Sequence, residues 1–268
     1  MFRLDGKVAV ITGAGGVICS TLAKDLAGVG ALVALLDISA EKAQAAADII
    51  TQAGGKAIAV ETDVLSPESL EKAKEAVLGE YGKIDILVNG AGGNHPKSTT
   101  GPAQSFFDLP VEAIKWVFDL NFMGTVLPTQ VFGKLMAEQK KGCIVNIASM
   151  SSFRPLTKVL AYSSSKSAIA NYTEWMAVHF CQNYSPEIRV NAIAPGFLLT
   201  EQNRFLLTNE DGSLTDRGNS VIRSTPMARF GSPDEMSGAV IFLCSEAATF
   251  VTGVVLPLDG GFNAFSGV

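Results

Sequence analysis

The sequence Lys7-Val-Ala-Val-Ile11, followed by Thr12-Gly-Ala-Gly-Gly16, decides the fold of this chain. The apolar run is typical of a buried strand, and a helical pattern over 17–30 follows the glycines. Glycines let the backbone approach a pyrophosphate, and the N-terminus of a helix offers partial positive charge and free N–H groups. The order strand, glycine turn, helix therefore predicts a dinucleotide-binding unit.

A second apolar run, 31–36, ends at Asp37. An acid roughly 20 residues beyond the glycines is placed to accept hydrogen bonds from an adenosine ribose, and it would repel a 2′-phosphate. No arginine follows it in Ile38-Ser39-Ala40, so the pattern favours NAD over NADP. The alternative is that Asp37 only caps the next helix.

Strand and helix patterns alternate along the rest of the chain. The strand patterns lie near 7–11, 31–37, 56–60, 84–89, 143–148, 188–193 and 253–257. The helical patterns cover 17–30, 40–53, 67–81, about 110–139, 160–183 and 233–246. This alternation predicts an α/β fold in which one Rossmann-type, doubly wound, parallel sheet of seven strands is covered on both faces, as a single domain over residues 1–268.

Two segments, at about 93–109 and 197–225, interrupt the alternation. Both follow the carboxyl ends of predicted strands, where open α/β sheets bind their ligands. We therefore expect both to be substrate loops, with the second acting as a mobile lid.

Tyr162 and Lys166 lie four positions apart, and Ser149 precedes the tyrosine by thirteen. Positions i and i+4 share one face of a helix, so an ammonium group lies beside a phenol. A nearby cation lowers the pKa of a phenol from its usual value of about 10. With a serine hydroxyl on the same substrate oxygen, the three predict proton transfer to and from a carbonyl or carbinol oxygen. Tyr162 and Lys166 taken alone could also be two residues on a solvent-exposed helix face without a catalytic role.

With these motifs the chain resembles a classical short-chain dehydrogenase/reductase from Leu4 to about Gly261. Further motifs stand in the family's order: Asp63-Val64, Asn89-Gly-Ala-Gly92, Asn121 within 119–124, Ile144 to Ser149, Pro195-Gly196 with Thr200, and Asp259-Gly-Gly261. The resemblance implies a catalytic set of Asn121, Ser149, Tyr162 and Lys166. In it Lys166 also holds the nicotinamide ribose, and Asn121 holds a water of a proton relay. It implies that NAD is bound by Gly13, Gly15, Gly16, Val17, Ile18, Asp37, Asp63, Val64, Asn89, Gly90, Ala91, Tyr162, Lys166, Pro195, Gly196 and Thr200.

The chain departs from the family pattern in two places. Without a gap, Val17 and Cys19 stand where the family has its second and third glycines, whereas a shortening by one residue would put Gly16 at the second. Either alignment leaves a non-glycine side chain near the phosphate turn, and we interpret Cys19 as a packing residue. In the second departure, Gly90 replaces the second asparagine of the family's Asn-Asn-Ala-Gly.

Longer strings, Asn89 to Pro96, Thr129 to Phe132 and Ala194 to Arg204, resemble the family's sugar-acid branch, named D-mannonate oxidoreductase or fructuronate reductase. This implies interconversion of a ketone and a secondary alcohol on an anionic sugar acid. The candidate substrate residues are His95, Lys97, Arg154, Lys158, Gln202, Asn203 and Arg204. One alternative is a gluconate 5-dehydrogenase-like or polyol dehydrogenase. Another is a non-catalytic NAD-binding sensor, although the complete catalytic set argues against it.

Composition limits the other classes of function. A net charge of −5 gives no general attraction to nucleic acid or to a membrane surface. No signal region or long apolar run is present, and the four scattered cysteines are typical of reduced thiols, so a cytoplasmic protein is expected. Two histidines without a ligand cluster predict no metal. The apolar helices 110–139 and 160–183, together with the family's usual assemblies, imply a homo-oligomer, either dimer or tetramer.

Overall fold

The sheet has seven parallel strands, in the order β3-β2-β1-β4-β5-β6-β7. The structure is a computed structural model and describes residues 1–201 and 203–267. In chain order the strands are β1 Val8–Thr12, β2 Leu32–Asp37, β3 Lys56–Glu61, β4 Ile86–Asn89, β5 Gly142–Ile147, β6 Ile188–Pro195 and β7 Val255–Leu258. The predicted doubly wound, Rossmann-type sheet is confirmed.

Helices cover both faces of this sheet, which is why the central strands are buried and apolar along their length. They are α1 Val17–Gly28, α2 Ala40–Gln52, α3 Pro67–Tyr81, α4 Val111–Phe118, α5 Gly124–Gln139, α6 Leu160–Asn183, α7 Arg204–Leu207, α8 Asp216–Arg223 and α9 Ser237–Cys244. One face packs on Leu22, Leu26 and Leu243, and the other on Phe132 and Phe180. In the described part of the chain, no helix is long and apolar enough to cross a membrane.

The helix predicted over about 110–139 is present as α4 and α5, and it contains a π-helical turn that the sequence did not predict. A π-helical turn, Asp119–Met123, separates α4 from α5. The amide of Asn121 donates to the carbonyl oxygens of Val117 and Gly93, each at 2.7 Å, and so replaces regular helical bonding. Pro128 lies inside α5 and has no N–H to donate to the preceding turn. The π-helical turn therefore forms where a polar side chain turns inward, and such turns often occur at functional sites.

The two predicted loops contain short regular elements. The 93–109 segment has single 3₁₀ turns at Pro96–Ser98 and Phe106–Asp108. The 197–225 segment contains α7 and α8, and Thr215 caps α8 by accepting the N–H of Gly218 at 3.0 Å. Both segments begin beyond the carboxyl ends of strands, so they lie at the edge of the sheet where the cavity opens.

Candidate active site

A cavity of about 590 Å³ lies at the carboxyl ends of β1, β4, β5 and β6. β1 and β4 are neighbours at the point where the strand order reverses. Open α/β sheets bind ligands in the crevice at such a point. The cavity is therefore the candidate site.

The glycine turn forms one wall by direct contact between backbones. Gly13 has φ +65°, and a Cβ added there would lie 2.8 Å from the backbone nitrogen and Cα of Ala91. The hydroxyl oxygen of Thr12 accepts the N–H groups of Gly90 at 3.1 Å and of Ala91 at 3.3 Å. The turns that follow β1 and β4 are therefore fixed against each other, and no side chain fits between them.

Asp37 links the second strand to this glycine turn. Its carboxylate accepts the N–H of Gly15 at 2.9 Å and the N–H of Ser39 at 2.9 Å. Ser39, rather than Asp37, caps α2 by accepting the N–H of Lys42 at 3.4 Å. The alternative that Asp37 is only a helix cap is therefore wrong. Both carboxylate oxygens retain acceptor capacity for a ligand hydroxyl.

These features fit a dinucleotide. α1 begins at Val17, so its first N–H groups, those of Val17, Ile18 and Cys19, have no partner within the helix. They border the cavity next to glycines that leave room for a phosphate. Of the predicted cofactor set, the cavity is lined by Gly13, Gly15, Gly16, Val17, Ile18, Asp37, Asp63, Val64, Gly90, Ala91, Tyr162, Lys166, Pro195, Gly196 and Thr200.

Asn89 is the exception in the predicted cofactor set. Its side chain is buried below the cavity, where Nδ2 donates to Thr129 Oγ1 at 3.0 Å and to Asn146 Oδ1 at 2.9 Å. It therefore joins β4 to α5 and β5 and does not line the cavity, because the last side chain of β4 points into the helix layer.

The two departures from the family pattern contact each other. α1 begins directly after Gly16, and Cys19 is buried in its first turn. A Cβ added to Gly90 would overlap the sulfur of Cys19. Burial raises the pKa of the Cys19 thiol to about 12, so it is not a reactive thiol at neutral pH. The sulfur of Cys19 fills the space that a side chain at position 90 would occupy. The larger residue at position 19 and the smaller one at position 90 therefore compensate for each other.

Ser149, Tyr162 and Lys166 come together at the floor of the cavity. Ser149 follows β5 and caps the short turn Met150–Ser152, accepting the N–H of Ser151 at 3.1 Å. Tyr162 lies in the first turn of α6 and is hydrogen-bonded to Ser149. One turn later, Lys166 Nζ donates to the carbonyl oxygen of Ile147 at 2.7 Å and lies 5.7 Å from the ring centre of Tyr162.

Burial dominates the protonation of this cluster. It raises the pKa of Tyr162, and the hydrogen bond with Ser149 opposes that shift. It also lowers the pKa of Lys166 to about 8. The pKa of Tyr162 is therefore raised, and not lowered as the sequence predicts, because burial outweighs the hydrogen bond with Ser149.

Asn121 lies behind Lys166, fully buried. Both N–H bonds of its amide are used by Val117 and Gly93, and its Oδ1 accepts the N–H of Gly93 at 3.2 Å. A Cβ added to Gly92 would lie 2.6 Å from that oxygen and 3.5 Å from Lys166 Nζ. The amide therefore fixes the turn after β4 against the π-helical turn.

Few of the predicted substrate residues border the cavity. Asn203 does, but its amide holds its own loop, donating to Leu198 O at 2.8 Å and accepting from Thr200 N at 2.9 Å. Arg204 is exposed and pairs with Glu201 at 2.7 Å. Gln202 lies outside the described residues.

The other four candidates lie on the segments beside the cavity and do not line it. His95 Nδ1 accepts the N–H of Lys97 at 3.1 Å, so in the neutral ring Nε2 carries the proton. Lys158 O accepts the N–H of Thr100 at 2.9 Å, which joins the 93–109 segment to the segment before α6. Arg154 Nη1 donates to the carbonyl oxygen of Phe265 at 2.9 Å.

Sequence reasoning missed a group of lining residues that are mostly neighbours of motif positions. They are Cys19, Ile38, Lys42, Thr62, Gly92, Gly93, Leu120, Ile147, Ala148, Phe197 and Leu198. Most of them could have been predicted as lining residues because they stand next to motif positions in the sequence. Lys42 is the one charged side chain in this group.

Comparison with known proteins agrees with this geometry. Residues 13–263 match the family model described as enoyl-(acyl carrier protein) reductase. The chain is 50% identical over 275 residues to the Bacillus subtilis (strain 168) protein named uncharacterized oxidoreductase UxuB, covering 99% of this chain and 98% of that one. It is 35% identical over 263 residues to 5-keto-D-gluconate 5-reductase of Escherichia coli (strain K12), covering 97% of each.

A solved structure is also similar to this chain over nearly its whole length. The crystal structure of a Haemophilus influenzae protein, provisionally named D-mannonate oxidoreductase and determined with bound NAD, is 48% identical with a TM-score of 0.94. The alignment covers 99% of this chain and 98% of that one. Similarity over nearly the whole length, in sequence and in fold, shows that this chain is an oxidoreductase of the short-chain dehydrogenase/reductase family.

Proposed function

We propose that the protein is an NAD(H)-dependent oxidoreductase that interconverts a ketone and a secondary alcohol on a sugar acid of the D-fructuronate/D-mannonate type. The reaction class is supported by Ser149, Tyr162 and Lys166 beside a dinucleotide-shaped wall. The substrate class is carried by the 48% identity to the Haemophilus influenzae protein provisionally named for D-mannonate.

NADH, when bound, supplies the hydride that reduces the ketone carbon. The glycine turn and the first N–H groups of α1 would hold the pyrophosphate, and Asp37 would accept hydrogen bonds from the ribose hydroxyls. Lys166 would hold the second ribose, and Asp63, Val64 and Ala91, which also line the cavity, would complete the binding surface.

Tyr162 donates its proton to the substrate oxygen as that oxygen gains charge, and Ser149 orients the same oxygen. The raised pKa of Tyr162 keeps the phenol protonated at neutral pH, which suits ketone reduction. In the opposite direction the phenol has to lose its proton first. The positive charge of the Lys166 ammonium would favour that loss.

Asn121 acts as a positioning residue in this mechanism. Its amide bonds to Gly93 and Val117 and sets the backbone next to Lys166 Nζ. Because both amide N–H groups already have backbone partners, a relay water at Asn121 would bind to an oxygen atom of this residue rather than to those donors.

The experiment that tests the function measures NADH oxidation against a matched panel. The panel contains a ketohexuronate, a ketoaldonate and a neutral ketose, with Tyr162→Phe as the inactive control. The highest kcat/KM with the ketohexuronate supports the proposal. Equal kcat/KM with the neutral ketose contradicts the sugar-acid assignment and leaves the dehydrogenase assignment in place.

A second candidate is a gluconate 5-dehydrogenase-like or polyol dehydrogenase, favoured by the 35% identity to 5-keto-D-gluconate 5-reductase. A preference for 5-ketogluconate in the same panel would select it.

We further propose that the protein is a cytoplasmic homo-oligomer. Val111 and Trp116 on α4 and Trp175 and Val178 on α6 are 46–61% exposed, and burying them against a second copy would be favourable. Light scattering of the purified protein distinguishes monomer, dimer and tetramer.

A further inference from the structure

The segment Asp259–Gly267 folds back over the side of the cavity formed by the residues after β6. The carboxylate of Asp259 accepts the N–H groups of Gly261 at 2.9 Å and of Asn263 at 2.7 Å, which closes a tight turn. The ring of Phe262 then packs edge-on against Phe197 at 5.4 Å between centres. Phe197 lines the cavity, so this segment supports one of its walls.

The same segment contacts Arg154 three residues later. Phe265 N donates to Gly261 O at 3.1 Å, which keeps the turn compact, and Phe265 O accepts from Arg154 Nη1 at 2.9 Å. Three residues span at most about 11 Å, so Arg154 lies close to the wall at Phe262. The N–H of Arg154 bonds to Met150 O at 3.3 Å, in the turn that Ser149 caps.

Among the predicted substrate residues, Arg154 differs from Arg204 in its partner. Arg204 is paired with the carboxylate of Glu201, so its charge is already compensated. Among the residues that the structure describes, the Arg154 guanidinium pairs with no carboxylate, and its hydrogen-bond partner is a neutral carbonyl oxygen. That bond uses one of its five N–H donors, and two others can bind a planar carboxylate with parallel hydrogen bonds. Lys97 and Lys158 offer only single ammonium groups.

We propose that Arg154, oriented by the carbonyl oxygen of Phe265, binds the carboxylate of the substrate, and that residues 262–265 are part of the substrate site. This inference rests on the proposed sugar-acid function. Arg154 would then be the residue that discriminates between sugar acids and neutral sugars. Residues 262–265 would hold its side chain between Ser149 and Phe197.

The test compares kcat and KM for the preferred sugar acid and for a neutral ketose in four forms of the full-length enzyme: wild type, Arg154→Gln, Arg154→Lys and Arg3→Gln. We expect Arg154→Gln to raise KM for the acid by about 10–100-fold, the range lost with a charge-assisted hydrogen bond, while kcat changes less. Turnover of the neutral ketose and the Kd for NADH should stay unchanged. Arg154→Lys should restore part of the affinity, and Arg3→Gln, remote from the site, should resemble wild type.

A truncation after Ala264 tests the role of the segment separately. It should raise KM for the acid in the same direction as Arg154→Gln but by less, because the arginine stays and loses only its orientation. If Arg154→Gln retains the wild-type preference for acids, the inference is overturned. If the wild type itself shows no preference for acids, the proposed function fails instead, so the two failures are distinguishable.

Discussion

The cofactor side and the substrate side of the cavity are built in opposite ways. On the cofactor side, backbones touch directly, as between Gly13 and Ala91, and side chains are absent where they would obstruct. On the substrate side, long charged side chains such as Arg154 and Arg204 extend from short turns and are held by one or two polar contacts. The cofactor side therefore leaves no room for an added side chain, whereas the substrate side presents side chains with several rotatable bonds.

This difference predicts where single substitutions act. A larger side chain on the cofactor side should damage folding and NADH binding together, because the clash cannot relax. A change on the substrate side should alter KM for one substrate and leave the rest of the molecule intact. Tyr162 and Lys166 lie between the two sides, and they should show the largest effects.

The largest expected effect is that of Tyr162→Phe. We expect kcat to fall by at least about 100-fold, since general acid–base catalysis contributes about 10²–10⁴-fold. The Kd for NADH, measured by fluorescence titration, should change little, because the cofactor is held mainly from the other side. More than about a hundredth of the wild-type kcat remaining would contradict the role of the phenol as acid and base.

Lys166→Met should remove activity and yet stabilise the fold. Burial lowers the pKa of Lys166 from 10.5 to about 8, so the unfolded chain binds the proton more tightly between these values. At pH 7 the charged, buried lysine costs up to about 3 kcal/mol, at about 1.36 kcal/mol per pKa unit. Urea unfolding should therefore show a more stable variant at pH 7. This advantage should shrink as the pH rises from about 8 to 10.5. A variant less stable than wild type at pH 7 would contradict it.

Gly90→Asn should break the close packing of the cofactor side. The new side chain overlaps the sulfur of Cys19, and such overpacking costs about 1–3 kcal/mol. Adding Cys19→Gly should recover both stability and NADH affinity, so the double variant should be better than Gly90→Asn alone. A thermal melt and an NADH titration of the three variants measure this coupling. Additive losses would show that the two positions are independent.

Asp37→Ala should narrow the preference for NADH over NADPH by about tenfold, the effect of roughly 1.4 kcal/mol. The carboxylate accepts ribose hydroxyls and repels a 2′-phosphate, and Lys42 beside it is the cation that such a phosphate would use. The preference is measured as the ratio of kcat/KM for NADH to kcat/KM for NADPH. The double variant Asp37→Ala/Lys42→Ala is the matched control, because it also removes the cation that a 2′-phosphate would use. A wild type that works equally well with NADPH would contradict the role of Asp37.

The smallest effect is expected for Arg204→Gln, which was a sequence-based candidate for binding the substrate. Because Arg204 is exposed and paired with Glu201, KM for a sugar acid should change by less than about twofold, as is usual for exposed ion pairs. A tenfold rise in KM would show that Arg204 leaves Glu201 when the substrate binds.

The contrast between the two sides also explains what the sequence could reveal. The turn at Gly13 and the acid at Asp37 were predictable because their signals are local and steric. The π-helical turn was not, because the sequence pattern is helical through Asn121 and the contact of its side chain with Gly93 joins positions 28 apart. The bond between Arg154 and Phe265 joins positions 111 apart, and nothing in either local sequence indicates it.

The contact between Cys19 and Gly90 has a consequence for how such a sequence arises. Starting from the family's glycine and asparagine, placing the cysteine first creates an overlap, whereas losing the asparagine side chain first leaves only a gap. A gap in a core is tolerated more often than an overlap that cannot relax. The replacement at position 90 should therefore have preceded the one at position 19, and relatives that carry only one of the two should carry the glycine at 90.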